Sequence, residues 1–257
     1  MLQNKGEKEQ MKDFLQNIRA VFFDLDDTLY DQLEPFRAAV ADTMSPETAA
    51  ELELGTLFRR VRHYSDRLWD SYKEGKLSLE DVRMQRLILA FGELGIEMSK
   101  ETAAAIQSRY LQGQQQIMLS SGAEELIAAL RQRGLDVGIL TNGPVDHQMV
   151  KIRALKLDRL VPKDRIFISD AVGIAKPDPR VFEHISRVTG HLPEHCLYIG
   201  DAWENDVITS LEAGWRAIWL SRRGFRPDTG HQPAMIISDL RELLDLIVLS
   251  NHEVSPK

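Results

Sequence analysis

The hydrophobic pattern of this chain changes character after its first apolar segment. Residues 18–25, IRAVFFDL, form a continuous apolar run with aromatic and β-branched residues, which predicts a short buried strand. The next stretch, about residues 32–116, has helical periodicity, and we predict roughly four helices and no strand there. Ser45 followed by Pro46 is typical of a helix start, and Ser78 marks another.

Beyond Gly122, short apolar runs alternate with helical segments. Ser121 and Glu124 have the spacing of a capping box, which predicts the start of the first of these helices. Strict alternation of strand and helix favours right-handed crossovers and a parallel sheet with helices on both faces. We therefore predict the α/β class, with a Rossmann-like, doubly wound parallel sheet core and an all-helical domain inserted after its first strand. The strands predicted after the insertion are LDVGILTNG, RIFIS, CLYIGD, RAIWLS and AMIIS.

The composition is that of an ordinary globular protein, and it narrows the possible partners and locations. A net charge of -7 argues against a nucleic-acid partner that depends on overall basicity. The single cysteine, Cys196, excludes an intrachain disulfide and favours a reducing, cytoplasmic location. No uncharged apolar stretch approaches the roughly 18 residues of a membrane span, so we expect no membrane partner. Residues 1–17 are polar and lack a signal-peptide centre, and we expect an N-terminal extension.

Polar residues follow each of the first four predicted strands of the α/β core. Because ligands of open parallel sheets bind outside the carboxyl ends of the strands, these residues are expected to meet at one edge. Each segment alone has an ordinary explanation, since Asp, Asn and Gly are typical of turns and helix starts. Four segments that share one edge favour a reaction site. The residues are Asp24, Asp26, Asp27, Thr28, Thr141, Asn142, Lys176, Asp201 and Asp206.

The segments DLDDTLYD, LTNG, AKPDP and GDAWEND resemble, in this order, the four signature motifs of the haloacid dehalogenase superfamily. The resemblance covers about residues 18–221, and within the family it is strongest to the nucleotidase and N-acylneuraminate-9-phosphatase branch. The insertion lies where that family has its first type of helical cap. The resemblance therefore implies a core of residues 18–31 and 117–257. Residues 32–116 would be a cap that closes over the site and selects the substrate.

The resemblance also implies an activity, that of a Mg²⁺-dependent phosphatase acting through an aspartyl-phosphate. Its substrate would be a small phosphorylated metabolite, such as a nucleoside monophosphate or a sugar phosphate. Asp24 would be the nucleophile, and a divalent cation would offset the repulsion between carboxylates and phosphate. The implied metal ligands are Asp24, Asp201, the backbone carbonyl of Asp26, and Asp206, either directly or through water. The implied phosphate-binding groups are Thr141, Asn142, Lys176 and a backbone amide at Asp27.

Asp26 has a second implied role, because the family uses this aspartate to protonate the leaving oxygen and then to deprotonate the attacking water. The pKa of an aspartate in water is near ~3.9, too low for a good acid at neutral pH. We expect neighbouring carboxylates and partial burial to raise the pKa of Asp26. With Asp24, Thr141 and Lys176, it completes the predicted catalytic set.

Other interpretations of the same motifs stay open. A 2-haloacid dehalogenase would attack carbon, and the acid at Asp26 argues against it. A phosphomutase would return the phosphoryl group to an acceptor other than water, which the motifs allow. A phosphonate hydrolase would need a Schiff-base lysine in the insertion, and nothing marks Lys73 or Lys76 as one. A non-catalytic binding protein should have lost part of the set, whereas every matched position is present. A monomer and a homodimer are both compatible with the sequence.

Overall fold

The computed structural model of this protein describes residues 16–222 and 229–249. It divides into two compact units, of which Gln32–Ile117 forms one. The described residues on either side of this segment form the other, so the chain leaves an α/β unit and later returns to it. Residues 1–15, which make up most of the predicted N-terminal extension, lie outside the described residues.

A six-stranded parallel sheet forms the centre of the α/β unit. Its strands are β1 (Ala20–Phe23), β2 (Asp136–Thr141), β3 (Ile166–Ile168), β4 (Cys196–Gly200), β5 (Arg216–Leu220) and β6 (Met235–Ile237). Their order across the sheet is β3-β2-β1-β4-β5-β6, so β1 lies between β2 and β4. Ala20 of β1 is opposite Asp136 of β2 and Cys196 of β4. The predicted α/β class, with a helical insertion between β1 and β2, is confirmed.

Aromatic packing fixes the position of β1 within the sheet. All four residues of β1 are buried. The Phe22 ring packs against Phe167 and Trp215, with ring centroids 5.9 and 5.5 Å away. A Cβ atom at Gly138 of β2 would lie 2.0 Å from the Phe22 ring, so the close approach of the two strands requires glycine there. This packing anchors the strand that leads into Asp24.

The helical unit contains five helices, where the sequence predicts roughly four. Leu52 has an extended backbone, and it separates the short second helix from the long third one. Two predicted starts are confirmed, because the Ser45 hydroxyl accepts from Thr48 N–H and Ser78 forms a capping box with Asp81. The helices are α1 (Leu33–Ala41), α2 (Pro46–Glu51), α3 (Leu54–Lys73), α4 (Leu79–Gly92) and α5 (Lys100–Gly113).

The helices of the α/β unit connect its strands. For one of them, the helix start predicted from the sequence is wrong. Helix α6 begins after Gly122, whose φ of 78° is left-handed, and no side chain caps its first turn. The chain thus turns through glycine, and the capping box expected from Ser121 and Glu124 does not form. The helices are α6 (Ala123–Gln132), α7 (Val145–Ala154), α8 (Leu157–Leu160), α9 (Ser169–Val172), α10 (Arg180–Thr189), α11 (Thr209–Glu212) and α12 (Leu240–Leu249).

Candidate active site

Asp24 follows β1 directly and is held in place by the sheet. Its backbone N–H donates to the Ile199 carbonyl at 2.9 Å, which extends the pairing with β4 beyond Phe23. Its side chain is buried, with a relative exposure of 6%. The chain then turns through Asp27, which is also buried and has a φ of 62°. Aspartate tolerates this left-handed region better than most residues, which favours its use in such a turn.

Lys176, in the segment between α9 and α10, is buried against Asp24. Its ammonium donates to Asp24 Oδ1 at 2.7 Å, to Asp206 Oδ1 at 2.6 Å and to the Tyr198 hydroxyl at 2.7 Å. Tyr198 donates in turn to the Leu140 carbonyl at 2.7 Å. Two ion pairs thus offset the cost of burying the ammonium. Burial alone would lower the pKa of Lys176, but the charges of Asp206 and Asp24 outweigh it and raise that pKa.

Asp206 lies in a π-helical segment, Trp203–Ile208, that comes shortly after β4. Its Oδ2 accepts from the Ala202 N–H at 2.9 Å. A Cβ atom at Gly200 would lie 2.3 Å from that oxygen, so the glycine that ends β4 makes room for the carboxylate. π-Helical turns are frequent at functional sites. Here the turn brings Asp206 back toward the strand end.

Asp24, Asp201 and Asp206 form a cluster that could hold a metal ion. Each offers a carboxylate oxygen, and these three atoms lie within 4.8 Å of one another. Burial raises the pKa of Asp24 and of Asp206, and the positive charge of Lys176 offsets that effect only in part. A divalent cation would favour the ionised form of these carboxylates. Because Mg²⁺ prefers hard oxygen ligands, the donor set fits this ion.

The carboxylate of Asp26 is bound by side chains that the sequence analysis does not connect with it. Lys151 Nζ donates to its two oxygens at 2.7 and 2.9 Å, Gln148 Nε2 donates to Oδ2 at 2.9 Å, and the Tyr30 hydroxyl donates to Oδ1. Burial would raise the pKa of Asp26, but the charge of Lys151 and these hydrogen bonds outweigh it and hold that pKa well below its usual range. The predicted rise is therefore wrong, because an ammonium from α7 contacts the carboxylate directly.

The end of β2 supplies Thr141 and Asn142, which have different contacts. Thr141 is buried, and its hydroxyl oxygen accepts from Gln148 Nε2 at 2.5 Å. The Asn142 side chain binds the backbone of Lys176 twice, donating to its carbonyl at 2.7 Å and accepting from its N–H at 3.1 Å. Asn142 therefore fixes the segment that carries the buried lysine, a contact that its predicted role at the phosphate does not include.

The structure brings the predicted residues to one edge of the sheet in two groups. Asp24, Lys176 and Asp206 are in direct contact, with Asp201 beside them. Asp26 and Thr141 are joined through Gln148. The catalytic and binding roles assigned to these residues stay predictions.

Sequence reasoning does not single out Gln148, Lys151 or Tyr198. The first two are three residues apart in α7, directly after the Thr141 segment, and this spacing places them on one face of the helix. That proximity to a predicted strand end is the signal that could have identified them. Tyr198 lies inside the apolar run of β4 and has the sequence character of a core residue.

A family profile described as hydrolase, haloacid dehalogenase-like hydrolase matches residues 18–214. The chain belongs to this family. The resemblance noted from the four motifs is thereby confirmed, and so is the prediction that the protein is an enzyme of this class.

Curated relatives of known activity extend over almost the whole chain of this haloacid dehalogenase-like hydrolase. A phosphoserine phosphatase of Thermus thermophilus is 30% identical, over 88% of this chain and 98% of its own. A pyrimidine 5'-nucleotidase of Escherichia coli is 26% identical, over 88% and 96% respectively. The N-acylneuraminate-9-phosphatase of Homo sapiens is 27% identical, over 94% and 98%. The predicted nucleotidase and N-acylneuraminate-9-phosphatase branch is thus represented among the relatives.

A solved structure shares the fold of this chain. It is the haloacid dehalogenase-like hydrolase YfnB of Bacillus subtilis, bound to magnesium, with a TM-score of 0.66 and 25% identity. The match covers 90% of this chain and 98% of that one.

In residues 16–222 and 229–249, no helix is both long and apolar enough to cross a membrane.

Proposed function

We propose that this protein is a Mg²⁺-dependent phosphatase that hydrolyses a small phosphorylated metabolite through an aspartyl-phosphate on Asp24. The observation that carries the proposal is the contact of Lys176 with both Asp24 and Asp206, beside Asp201. This arrangement gathers three carboxylates and one ammonium at the strand ends. A carboxylate nucleophile, a cation site and a lysine in contact are the groups that phosphoryl transfer to an aspartate requires.

In the first step, Asp24 attacks phosphorus and the bond from phosphorus to the leaving oxygen breaks, while Asp26 protonates that oxygen. The negative charge of the bound phosphate would raise the pKa of Asp26 above the low value that Lys151 gives it in the free protein, so that Asp26 can carry this proton. Lys176 neutralises charge on Asp24 and on the transferring group. The Thr141 hydroxyl donates to a phosphoryl oxygen, and the backbone amides of Asn142 and Asp27 bind the others. These contacts orient phosphorus in line with the attacking carboxylate.

In the second step, water attacks the aspartyl-phosphate and Asp26 accepts its proton. Phosphate leaves and the Asp24 carboxylate is regenerated. When bound, Mg²⁺ would offset the negative charge that Asp24 and the phosphoryl group bring together. Its ligands would be Asp24, Asp201, Asp206 and the backbone carbonyl of Asp26.

The two units have different proposed tasks. We assign the chemistry to residues 18–31 and 117–257 and the selection of substrate to residues 32–116. The relatives support a varied selection, because they are named for phosphoserine, pyrimidine nucleotide and N-acylneuraminate-9-phosphate. The substrate we propose is a nucleoside monophosphate or a sugar phosphate. Exchanging residues 32–116 for the corresponding unit of a relative should change the preferred substrate and leave the Mg²⁺ requirement in place.

The proposal is tested by a screen for phosphate release from nucleoside monophosphates, sugar phosphates and phosphoserine, with Mg²⁺ present. Asp24→Asn should abolish release from every substrate that the unmodified protein accepts. Asp158→Asn, a change of the same type at an exposed site, should leave it intact. Chloride release from 2-chloropropionate without phosphatase activity would instead indicate a dehalogenase. Transfer of the phosphoryl group to a sugar rather than to water would indicate a phosphomutase.

A further inference from the structure

The Asp26 carboxylate is held by Lys151 and Gln148, two residues of one helix. Lys151 Nζ spans both carboxylate oxygens at 2.7 and 2.9 Å, and Gln148 Nε2 binds Oδ2 at 2.9 Å. With the Tyr30 hydroxyl on Oδ1, each oxygen accepts two hydrogen bonds, and a proton carried by Asp26 would take the place of one of the two Lys151 contacts. Contacts on both oxygens fix the plane of the carboxylate as well as its position.

Lys151 is unusual for a helical lysine because its relative exposure is only 3%. A buried ammonium is unfavourable unless it is paired and hydrogen-bonded, and the ion pair with Asp26 meets that condition. Lys151 therefore does not belong to a solvent-exposed face of its helix. Its position near the end of β2 puts its charge on the aspartate that is two residues beyond the proposed nucleophile.

Gln148 connects Asp26 with Thr141. Its Nε2 lies within hydrogen-bond distance of Asp26 Oδ2, Thr141 Oγ1 (2.5 Å) and the Asn142 carbonyl (2.9 Å). A carboxylate and a carbonyl can only accept, so these neighbours identify the amide nitrogen as the group that faces them. Because Gln148 donates to the Thr141 hydroxyl oxygen, the hydroxyl hydrogen of Thr141 remains available for a phosphoryl oxygen.

We propose that Lys151 and Gln148 are positioning residues of the reaction. Lys151 fixes the carboxylate of Asp26, and Gln148 fixes the orientation of Asp26 relative to the Thr141 hydroxyl. The inference rests on the proposed function, in which Asp26 transfers protons and Thr141 binds phosphate. Neither residue contacts the reacting atoms, so both act through Asp26 and Thr141.

A double-mutant cycle with Asp26→Asn tests the role of Lys151. Lys151→Met alone should lower kcat for an alkyl phosphate by roughly 10–100-fold, a part of what general acid–base catalysis supplies, with little change in KM. In the Asp26→Asn background, the same change should cost less than about twofold, because the group it positions is already lost. Lys163→Met, at an exposed lysine of the same unit, is the matched control and should leave kcat unchanged.

The leaving group separates a positioning role from a structural one. An aryl phosphate needs little protonation of its leaving oxygen, so Lys151→Met should slow the formation of the aspartyl-phosphate less with an aryl than with an alkyl phosphate. General damage to the fold would slow both equally. Gln148→Met removes no charge and keeps the size of the side chain, so it provides a second test if Lys151→Met does not fold. It should lower kcat about tenfold and show the same dependence on leaving group.

Two results would overturn the inference. One is a full loss from Lys151→Met in the Asp26→Asn background, and the other is an equal loss in aspartyl-phosphate formation from alkyl and aryl phosphates. Both outcomes leave the proposed function standing, provided that the unmodified protein releases phosphate and Asp24→Asn does not. If the unmodified protein releases none, or Asp24→Asn stays active, the proposed function itself fails.

Discussion

Each unit of this protein has a cationic group withdrawn from solvent, Lys176 buried and Arg86 half-buried, and the surroundings of the two groups differ. In the α/β unit, Lys176 contacts the carboxylates of Asp24 and Asp206. In the helical unit, Arg86 donates to two neutral oxygens, Ser65 Oγ and Gln107 Oε1, each at 2.9 Å. The charge of Lys176 is paired with opposite charges, whereas Arg86 forms no ion pair with any residue in the ranges 16–222 and 229–249.

The pKa values of the two cations respond in opposite directions. Burial lowers the pKa of Arg86, and neighbouring carboxylates do not offset it. The pKa of Lys176 rises in spite of burial, because Asp206 and Asp24 stabilise the ammonium. Ser65, Arg86 and Gln107 belong to α3, α4 and α5, so the guanidinium joins three helices. The Lys176 ammonium thus lies among carboxylates that could hold a metal ion, whereas the Arg86 guanidinium joins helices through neutral oxygens.

Removal of the metal should have the largest effect on phosphate release. It should act through the cluster formed by Asp24, Asp201, Asp206 and Lys176, and not through the surroundings of Arg86. A chelator should stop phosphate release, because Lys176 alone cannot offset the carboxylates of Asp24, Asp201 and Asp206 together with a phosphate. Added Mg²⁺ should restore activity. Ca²⁺ should restore it poorly, since its larger shell tolerates bidentate carboxylates and could occupy the second oxygen of Asp24. Phosphate release in chelated and reloaded protein measures this, and full activity in chelator would contradict the metal site.

Lys176→Met should destabilise the protein more than the loss of the half-buried Arg86 guanidinium does. It leaves Asp24 and Asp206 buried without their partner, which typically costs about 3–5 kcal/mol. Urea unfolding of the unmodified protein and the variant, both in chelator, measures the difference in unfolding free energy. Lys163→Met controls for the loss of a lysine at an exposed site. A cost below about 1 kcal/mol would show that Lys176 does not stabilise the two carboxylates.

Replacing one glycine of each unit by alanine should change the stability of the protein in opposite directions. Gly200→Ala forces a Cβ atom to within 2.3 Å of Asp206 Oδ2, and we expect a cost of about 1–3 kcal/mol together with weaker Mg²⁺ binding. Gly92→Ala, at the end of α4, meets no atom within 4 Å and should stabilise the protein by up to ~1 kcal/mol through helix propensity. Thermal unfolding with and without Mg²⁺ tests both. A neutral Gly200→Ala would mean that Asp206 can shift without loss.

Arg86→Met should have a smaller effect than Lys176→Met, because no carboxylate loses a partner. It leaves Gln107 Oε1 buried without a donor, which costs about 1–3 kcal/mol. Arg86→Met combined with Gln107→Leu removes the guanidinium and its amide acceptor, while the Ser65 hydroxyl keeps its hydrogen bond to the Val61 carbonyl, so the double variant should be close to neutral, within about 1 kcal/mol. Urea unfolding of the two variants gives the comparison. If the double variant were as unstable as Lys176→Met, the contrast between Lys176 and Arg86 would be lost.

Much of the site can be predicted from sequence because the α/β topology determines which residues lie near one another. Asp24, Thr141, Lys176 and Asp201 follow different strands, and a parallel sheet places the carboxyl ends of its strands at one edge. The helical unit is also predictable where local signals are strong, as at Ser45 and Ser78. The left-handed turn at Gly122 is not, since glycine allows that conformation without requiring it.

The electrostatics of Asp26 could not be predicted in the same way. The nearby sequence shows only carboxylates, whereas Lys151, which decides the sign of the pKa shift, is 125 residues away in the chain. A lysine and a glutamine three residues apart in a helix have the sequence character of a solvated face. Their burial depends on the packing of α7 near the end of β2, which is a tertiary contact.

Phosphoenzyme trapping in the Asp26→Asn variant tests the central claim most directly, because it asks which carboxylate forms the covalent bond. The variant retains Asp24 and the backbone carbonyl of residue 26 but loses the group that activates water. With an aryl phosphate, the first step should therefore outpace the second. Rapid-quench samples analysed by mass spectrometry should show accumulated phosphorylated protein, with the phosphoryl group on Asp24. A phosphoryl group on another residue, or turnover equal to that of the unmodified protein, would contradict the account.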